Sequence, residues 1–465
     1  ITTYDVPLNL IQDDRLSEDL PFGSRGGTAI EHLFPVDGEY RITVNLQTNY
    51  VDFVRGFDDA HEMELSLDGE YLQTYAFGGD APGIPAPYSY AGNIRGSDDW
   101  EEFMMAFADQ GFELELTVKA GPRIIGATFP REMWEAEGVQ QPRLFGYQLA
   151  VTELPDGNPG IGSIKIEGPL SVEGPGDTPS RQKIFSCQPA SADEEPACAR
   201  QILSSLARRA YRRAVTEGDV QGLMDFYNQG HVEGGFDTGI QFALERLLVS
   251  PDFLFRIEQD PLDAEPGSMY SITDTELASR LSFFLWSSLP DDELLDLVER
   301  GELRNPGVLE AQVKRMMSDS RSSGFIENFV GQWLYLRNLS GIYPDPASFP
   351  EFDENLREAF QRETELFIDD QIRSDRSLRE LLSADYTYVN ERLAEHYGIP
   401  KIYGSRYRKV TLTGAERGGL FGHGSLMMVT SYPNRTSPVL RGKFVLENLL
   451  GGPPPEPPPN VPALE

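Results

Sequence analysis

Two cysteines, five histidines and no apolar run of membrane-spanning length among 465 residues set the first limits on this chain. Cys187 and Cys198 stand in FSCQPASADEEPACARQ with ten polar-rich residues between them, and there is no Cys-x-x-Cys and no neighbouring histidine. That excludes a zinc ribbon or finger, which needs more ligands at tighter spacing. A disulfide closing a short surface loop is the better reading and implies an oxidising compartment; a pair of reduced thiols is the alternative. His32, His61, His231, His396 and His423 are dispersed, with no two at helical ligand spacing. No His-Glu-x-x-His, Gly-x-Ser-x-Gly or phosphate-loop pattern occurs, so zinc-hydrolase, serine-hydrolase and nucleotide-binding signatures are missing. Without a run of about 18 apolar residues no transmembrane helix is expected. The opening stretch, ITTYDVPLNLIQDDRLSEDLPFG, has neither a basic n-region nor an apolar h-region. That is expected if a signal peptide has been removed or if the sequence is a piece of a longer one.

Positive charge is scarce too. Forty Lys and Arg face 74 Asp and Glu, a net charge of −34. A field of that sign repels polyphosphates and anionic lipids, so nucleic acid and acidic membranes are not the expected partners. Solubility in a salty external medium accounts for it more simply than an acidic docking surface.

What is present is globular: 40% hydrophobic and 11% aromatic residues, in a length that suggests several domains. In DGEYRITVNLQ, Tyr40, Ile42, Val44 and Leu46 alternate with polar residues, the period of a half-buried strand. HEMELSLDGEYLQTY repeats the pattern through Met63, Leu65 and Leu67 and turns at Asp68-Gly69, and FELELTVKA repeats it from Phe112 to Val118. The expected architecture is multidomain α+β. An N-terminal extension (1–29) precedes an antiparallel β-sandwich (30–170), and a connector (171–198) holds the two cysteines. From 199 the period becomes helical. Thr216 breaks two helices and caps the second; TDTELASRL starts at a Thr/Asp cap. In FDENLREAFQRETELFIDDQIRS, Leu356, Ala359, Phe360 and Phe367 form one face and charged residues the other. A single helical domain of about eight helices is expected over 199–400. A Gly-rich segment with a final helix (401–452) and a Pro-rich spacer (453–465) follow. Thr436 or Ser437 caps that helix, Pro438 opens it, Gly451-Gly452 ends it, and PPPEPPP is extended polyproline II.

Five stretches carry a family resemblance: FPVDGEYRITVNLQTNYVDFVRGFDDAHEMELSLDG (34–69), IFSCQPASADEEPACARQILSSLARRAYRRAVT (184–216), LERLLVSPDFLFRIE (244–258), LASRLSFFLWSSLPDDELLDL (277–297) and TSYPNRTSPVLRGKFVLENLLGGPPPEPPP (430–459). In this order they resemble the large secreted multidomain proteins of planctomycetes and some marine bacteria known as planctomycete cytochrome c-like proteins. The resemblance implies an electron-transfer or oxidoreductase context in the periplasm or outside the cell. Haem c would sit in flanking modules, because this sequence contains no Cys-x-x-Cys-His and attaches none covalently. A haem-bearing module or redox partner is the implied partner. The family's sandwich resembles carbohydrate-binding modules, sometimes calcium-dependent, which adds polysaccharide as a second expected partner. The alternatives are a carbohydrate-recognition protein without redox role, or a glycan-acting enzyme whose carboxylate pair hides among 74 acids.

Candidate chemistry is sparse, and catalytic residues are not legible. Arg435 and Arg441, within a cluster of Thr430, Ser431, Asn434, Thr436, Ser437 and Lys443, suit bidentate capture of a carboxylate such as a haem propionate. The plainer reading is capping and pairing with acidic helices. His423, between glycines in FGHGSLMM, is a candidate axial haem ligand or acid/base group, against a structural role. Met427 and Met428 read as core. Asp58, Asp59 and Glu62 offer oxygen ligands for calcium on a turn that otherwise reads as a solvated loop. Tyr88 and Tyr90 offer rings for sugar stacking or for packing that loop down. Trp286 and Trp333 read as helix core.

Overall fold

The computed structural model describes residues 1–8, 10–48, 54, 56, 60–79, 108, 110–131, 158–258, 260–261, 265, 267–414 and 417–455. The chain forms two compact units: 1–178 with 333–371 and 377–465, and 179–332 with 372–376. The helices expected to form one domain over 199–400 are therefore divided between two units, a grouping set by long-range packing that local periodicity does not carry.

The first unit opens with eight strands: β1 (Thr2–Asp5), β2 (Ser24–Phe34), β3 (Asp37–Leu46), β4 (Ala60–Leu67), β5 (Glu70–Gly78), β6 (Glu113–Val118), β7 (Gly121–Pro130) and β8 (Ile161–Gly174). They pair antiparallel in two sheets, β1-β8-β3-β6 and β2-β7-β4-β5. Side chains from both sheets share one core, in which Tyr40, Ile42, Val44, Met63, Leu65 and Ile125 are essentially inaccessible. Burying each of these stabilises by about 1.5–3 kcal/mol. The turn at Asp68-Gly69 has both residues at positive φ, 51° and 79°, as a two-residue hairpin needs. Two expected boundaries move. The N-terminal extension supplies β1 and the start of β2, where a bulge between Arg25 and Thr28 is built on Gly26 and Gly27 at φ 56° and 86°. Strand β8 runs on to Gly174, inside the expected connector.

The second unit carries α1 (Glu195–Tyr211), α2 (Glu217–Gly234), α3 (Phe236–Leu248), α4 (Asp274–Trp286), α5 (Asp292–Glu299) and α6 (Val308–Ser318). Thr216 and Thr273 cap α2 and α4 through capping boxes with Asp219 and Glu276. Trp286 is core, donating from Nε1 to the Met316 carbonyl. Cys187 and Cys198 are joined as a disulfide.

The remainder of the first unit comprises most of α7 (Glu354–Arg373), β9 (Tyr386–Val389) paired with β10 (Arg408–Thr411), and α8 (Glu391–Tyr397). It continues with α9 (Gly424–Val429), the hairpin β11 (Ser431–Tyr432) to β12 (Arg435–Thr436), and α10 (Pro438–Phe444). Ser437, not Thr436, caps α10 by accepting from Leu440 N. Helix α7 is anchored by Asp353, whose buried carboxylate accepts from Leu356 N and pairs with Arg392 at 2.9 Å. Its inner face includes Leu356, Ala359, Phe360 and Phe367 as expected, but also Arg357, Glu363, Thr364 and Gln371. The expected division into apolar and charged faces therefore fails in the middle of the helix. Trp333 is half-buried, donating from Nε1 to the Asn448 carbonyl at 2.7 Å.

Candidate functional site

The polar residues of α7 that face inward meet the start of α9 and the end of α8. Glu363, 1% exposed, accepts from the Thr387 hydroxyl on β9 at 2.5 Å and from the Tyr397 hydroxyl on α8 at 2.6 Å. The same Tyr397 oxygen accepts from Gly424 N at 2.8 Å. The Arg417 guanidinium lies 3.8 Å from the Tyr397 ring centre and donates to the Gly422 carbonyl. Burial pushes the Glu363 carboxyl up to about 7; the Thr387 and Tyr397 hydroxyls, the nearby Gly424 amide and Arg417 pull it back only in part. Burial likewise raises Tyr397 well above the ordinary phenol range, so its proton stays in place.

One residue along α7, the Thr364 hydroxyl stands 3.0 Å from His423 Nδ1 and 2.6 Å from the Ser425 hydroxyl. It also reaches the Phe360 carbonyl at 3.3 Å. If its own proton is on that carbonyl, it accepts from Nδ1–H of His423, and Nε2 of the ring then bears the lone pair. That Nε2 is buried without a hydrogen-bond partner among the described residues. Burial, with Arg417 adding to it, lowers His423 to about 3, so the imidazole is neutral. Phe367 closes its edge at 4.8 Å.

Of the two glycines flanking His423, Gly424 serves packing. A Cβ on Gly424 would lie 2.1 Å from the Phe360 ring, so the missing side chain lets α9 settle on α7. His423, at 2% exposure and enclosed by Phe367 and Thr364, is an interior residue, and the residues around it do not fit a haem. Both cysteines are used in their own disulfide, so no thiol remains for thioether attachment. Chemically the arrangement holds protons: a buried acid, a phenol that both donates and accepts, and a neutral imidazole.

The other expected site residues lie elsewhere. Arg435 is exposed on β12, its guanidinium 5.1 Å from the Tyr432 ring, and half-buried Arg441 on α10 reaches the Thr430 hydroxyl at 3.4 Å. Lys443 pairs with Glu447 at 3.7 Å. Met428 is buried and Met427 half-buried. Asp58, Asp59, Tyr88 and Tyr90 fall outside the described residues, and Glu62 is an exposed residue of β4. Among the described residues no group of three or more His, Cys, Asp or Glu could hold a metal ion. No described helix is long and apolar enough to cross a membrane. Glu363, Thr387 and Tyr397 were not singled out by the sequence reading. The available signal was positional: Glu363 falls within the stripe formed by Leu356, Phe360, Phe367 and Gln371 at helical spacing.

Three family models match, described as "PSD5: Protein of unknown function (DUF1595)" over residues 198–258, "PSD4: Protein of unknown function (DUF1592)" over 272–399 and "PSCyt3: Protein of unknown function (DUF1588)" over 417–465. No curated protein and no solved structure matches the chain. The buried centre draws Glu363 and Tyr397 from the second matched region and His423 from the third. The three regions together cover just over half of the residues, and the chain belongs to the planctomycete cytochrome c-like proteins whose domains they are.

Proposed function

We propose that this chain is a docking module of an extracytoplasmic c-type-cytochrome-family redox protein. It carries no covalent haem itself and holds a haem-bearing neighbour through Arg435 and Arg441. The family supplies the cytochrome context, and the disulfide accords with a compartment outside the cytosol. One observation carries the docking role. In a chain of net charge −34, these two arginines meet no carboxylate among the described residues: Arg435 touches the Tyr432 ring and Arg441 the Thr430 hydroxyl. Arg208, by contrast, gathers Asp292, Asp296 and Glu299. Guanidinium groups left without an anion are ready for carboxylates brought by a partner, and haem propionates present such a pair.

The test is Arg435→Glu with Arg441→Glu in the native protein joined to its haem module. A visible spectrum first establishes the haem; its midpoint potential and the protease sensitivity of the Pro-rich segment are then compared with wild type. Docking through the arginines predicts a shifted potential and faster cleavage. An unchanged haem alongside altered stability would make the arginines structural and the Pro-rich segment a simple tether.

A further inference from the structure

A cleft of about 860 Å³ opens within the first unit between the N-terminal segment and the loop before β10. Both walls are braced. Gln12 bonds the amide and carbonyl of Ile161 and the amide of Gly27, while buried Arg25 donates to the carbonyls of Gln12 and Pro159. Asn355 of α7 exchanges hydrogen bonds with the backbone of Ile11. On the other side Glu391, 9% exposed, accepts from Gly404 N at 2.5 Å, and its own amide donates to the Gly404 carbonyl at 3.1 Å. That clamp fixes the loop carrying Tyr403.

Two aromatic rings line this cleft without serving a core. Tyr403 is 60% exposed and Phe22 90% exposed, the latter held on one face by the Arg15 guanidinium 4.5 Å away. The cleft's cations are already occupied. Arg15 is engaged by the Leu20 carbonyl and Glu18, Arg131 by Asp14, and Arg392 by Asp353. Glu358 is an exposed residue of the cleft lining whose carboxyl is raised by burial and by the neighbouring Glu354, and Asp14 stands close enough to Glu391 to add to the negative field. Such a cleft repels phosphate and carboxylate. It offers ring faces, hydrogen-bond acceptors and a braced frame, which match a ligand of many hydroxyl donors on a flat C–H skeleton.

We propose that this cleft binds a neutral oligosaccharide, with Phe22 and Tyr403 as stacking surfaces and Glu358 accepting from sugar hydroxyls. The site is separate from Arg435 and Arg441, and the proposal does not depend on the docking role. The residues it uses are not those that the sequence suggested for glycan binding.

The full chain is titrated calorimetrically with cello-, xylo-, laminari- and mannohexaose, and in parallel with polygalacturonate and spermine. At least one neutral hexaose is expected to bind with a Kd between about 10 μM and 1 mM. Phe22→Ala, Tyr403→Ala and Glu358→Gln, all at exposed positions, should each weaken it about fivefold or more while leaving thermal unfolding unchanged. The proposal is overturned if no neutral hexaose binds at about 5 mM, if binding survives all three substitutions, or if the polyanion or the polyamine is the preferred ligand.

Discussion

Replacing Glu363 by glutamine should make the protein more stable at pH 8 and leave it nearly unchanged at pH 4.5. The side-chain amide can reproduce the neutral carboxyl, its oxygen accepting from Tyr397 and its NH₂ donating toward Thr387. The wild-type carboxyl is raised from its ordinary 4.5 to about 7, so the folded chain takes up a proton that the unfolded chain gives away. Its contribution is fully present below pH 4.5 and is lost as pH rises through 7. The interval corresponds to about 3 kcal/mol, which is the expected advantage of Glu363→Gln above pH 7. Paired carboxylates such as Asp219, held far below the usual range by Arg213, push stability the other way with pH, but they are common to both proteins and cancel. Urea unfolding at pH 4.5, 6, 7 and 8 gives the difference directly, read on whichever transition moves, because two compact units need not unfold together. If Glu363→Gln is destabilising by the same amount at every pH, the carboxylate is ionised inside the protein, and its hydrogen bonds outweigh its burial.

Two further outcomes follow from the packing. Cys187→Ser with Cys198→Ser opens a loop with a sequence separation of 11 and should cost about 2.5–3 kcal/mol, mainly through the unfolded chain; two alkylatable thiols in unreduced native protein would refute the pairing. Asp353→Ala removes the cap of α7 and leaves the Arg392 guanidinium, 12% exposed, without its anion, for a loss of about 3–5 kcal/mol by urea unfolding. A loss under about 1 kcal/mol would mean that Arg392 turns to solvent.

The strands were legible because each is half-buried: Tyr40, Ile42, Val44 and Leu46 alternate with polar residues, and the structure buries all four. Thr216 and Thr273 were legible because capping needs only residues three apart. Glu363 was not legible. Its environment is made by Thr387, Tyr397 and Gly424, distant in sequence, and an acid in a chain with 74 of them carries no mark of burial. His423 stood out for its glycine neighbours, but whether those glycines admit a ligand or a phenylalanine depends on what lies opposite. The division of the helices between two units is long-range in the same sense.

The contact between Gly424 and Phe360 also has a bearing on inheritance. A hydrogen faces the ring where a methyl would stand 2.1 Å from it, so neither position can change size by itself. Among relatives, an alanine or serine at the position of Gly424 should arrive together with a residue narrower than phenylalanine at the position of Phe360. Selection would then act on the combined volume of the pair, preserving the seam between the two helices while each residue drifts.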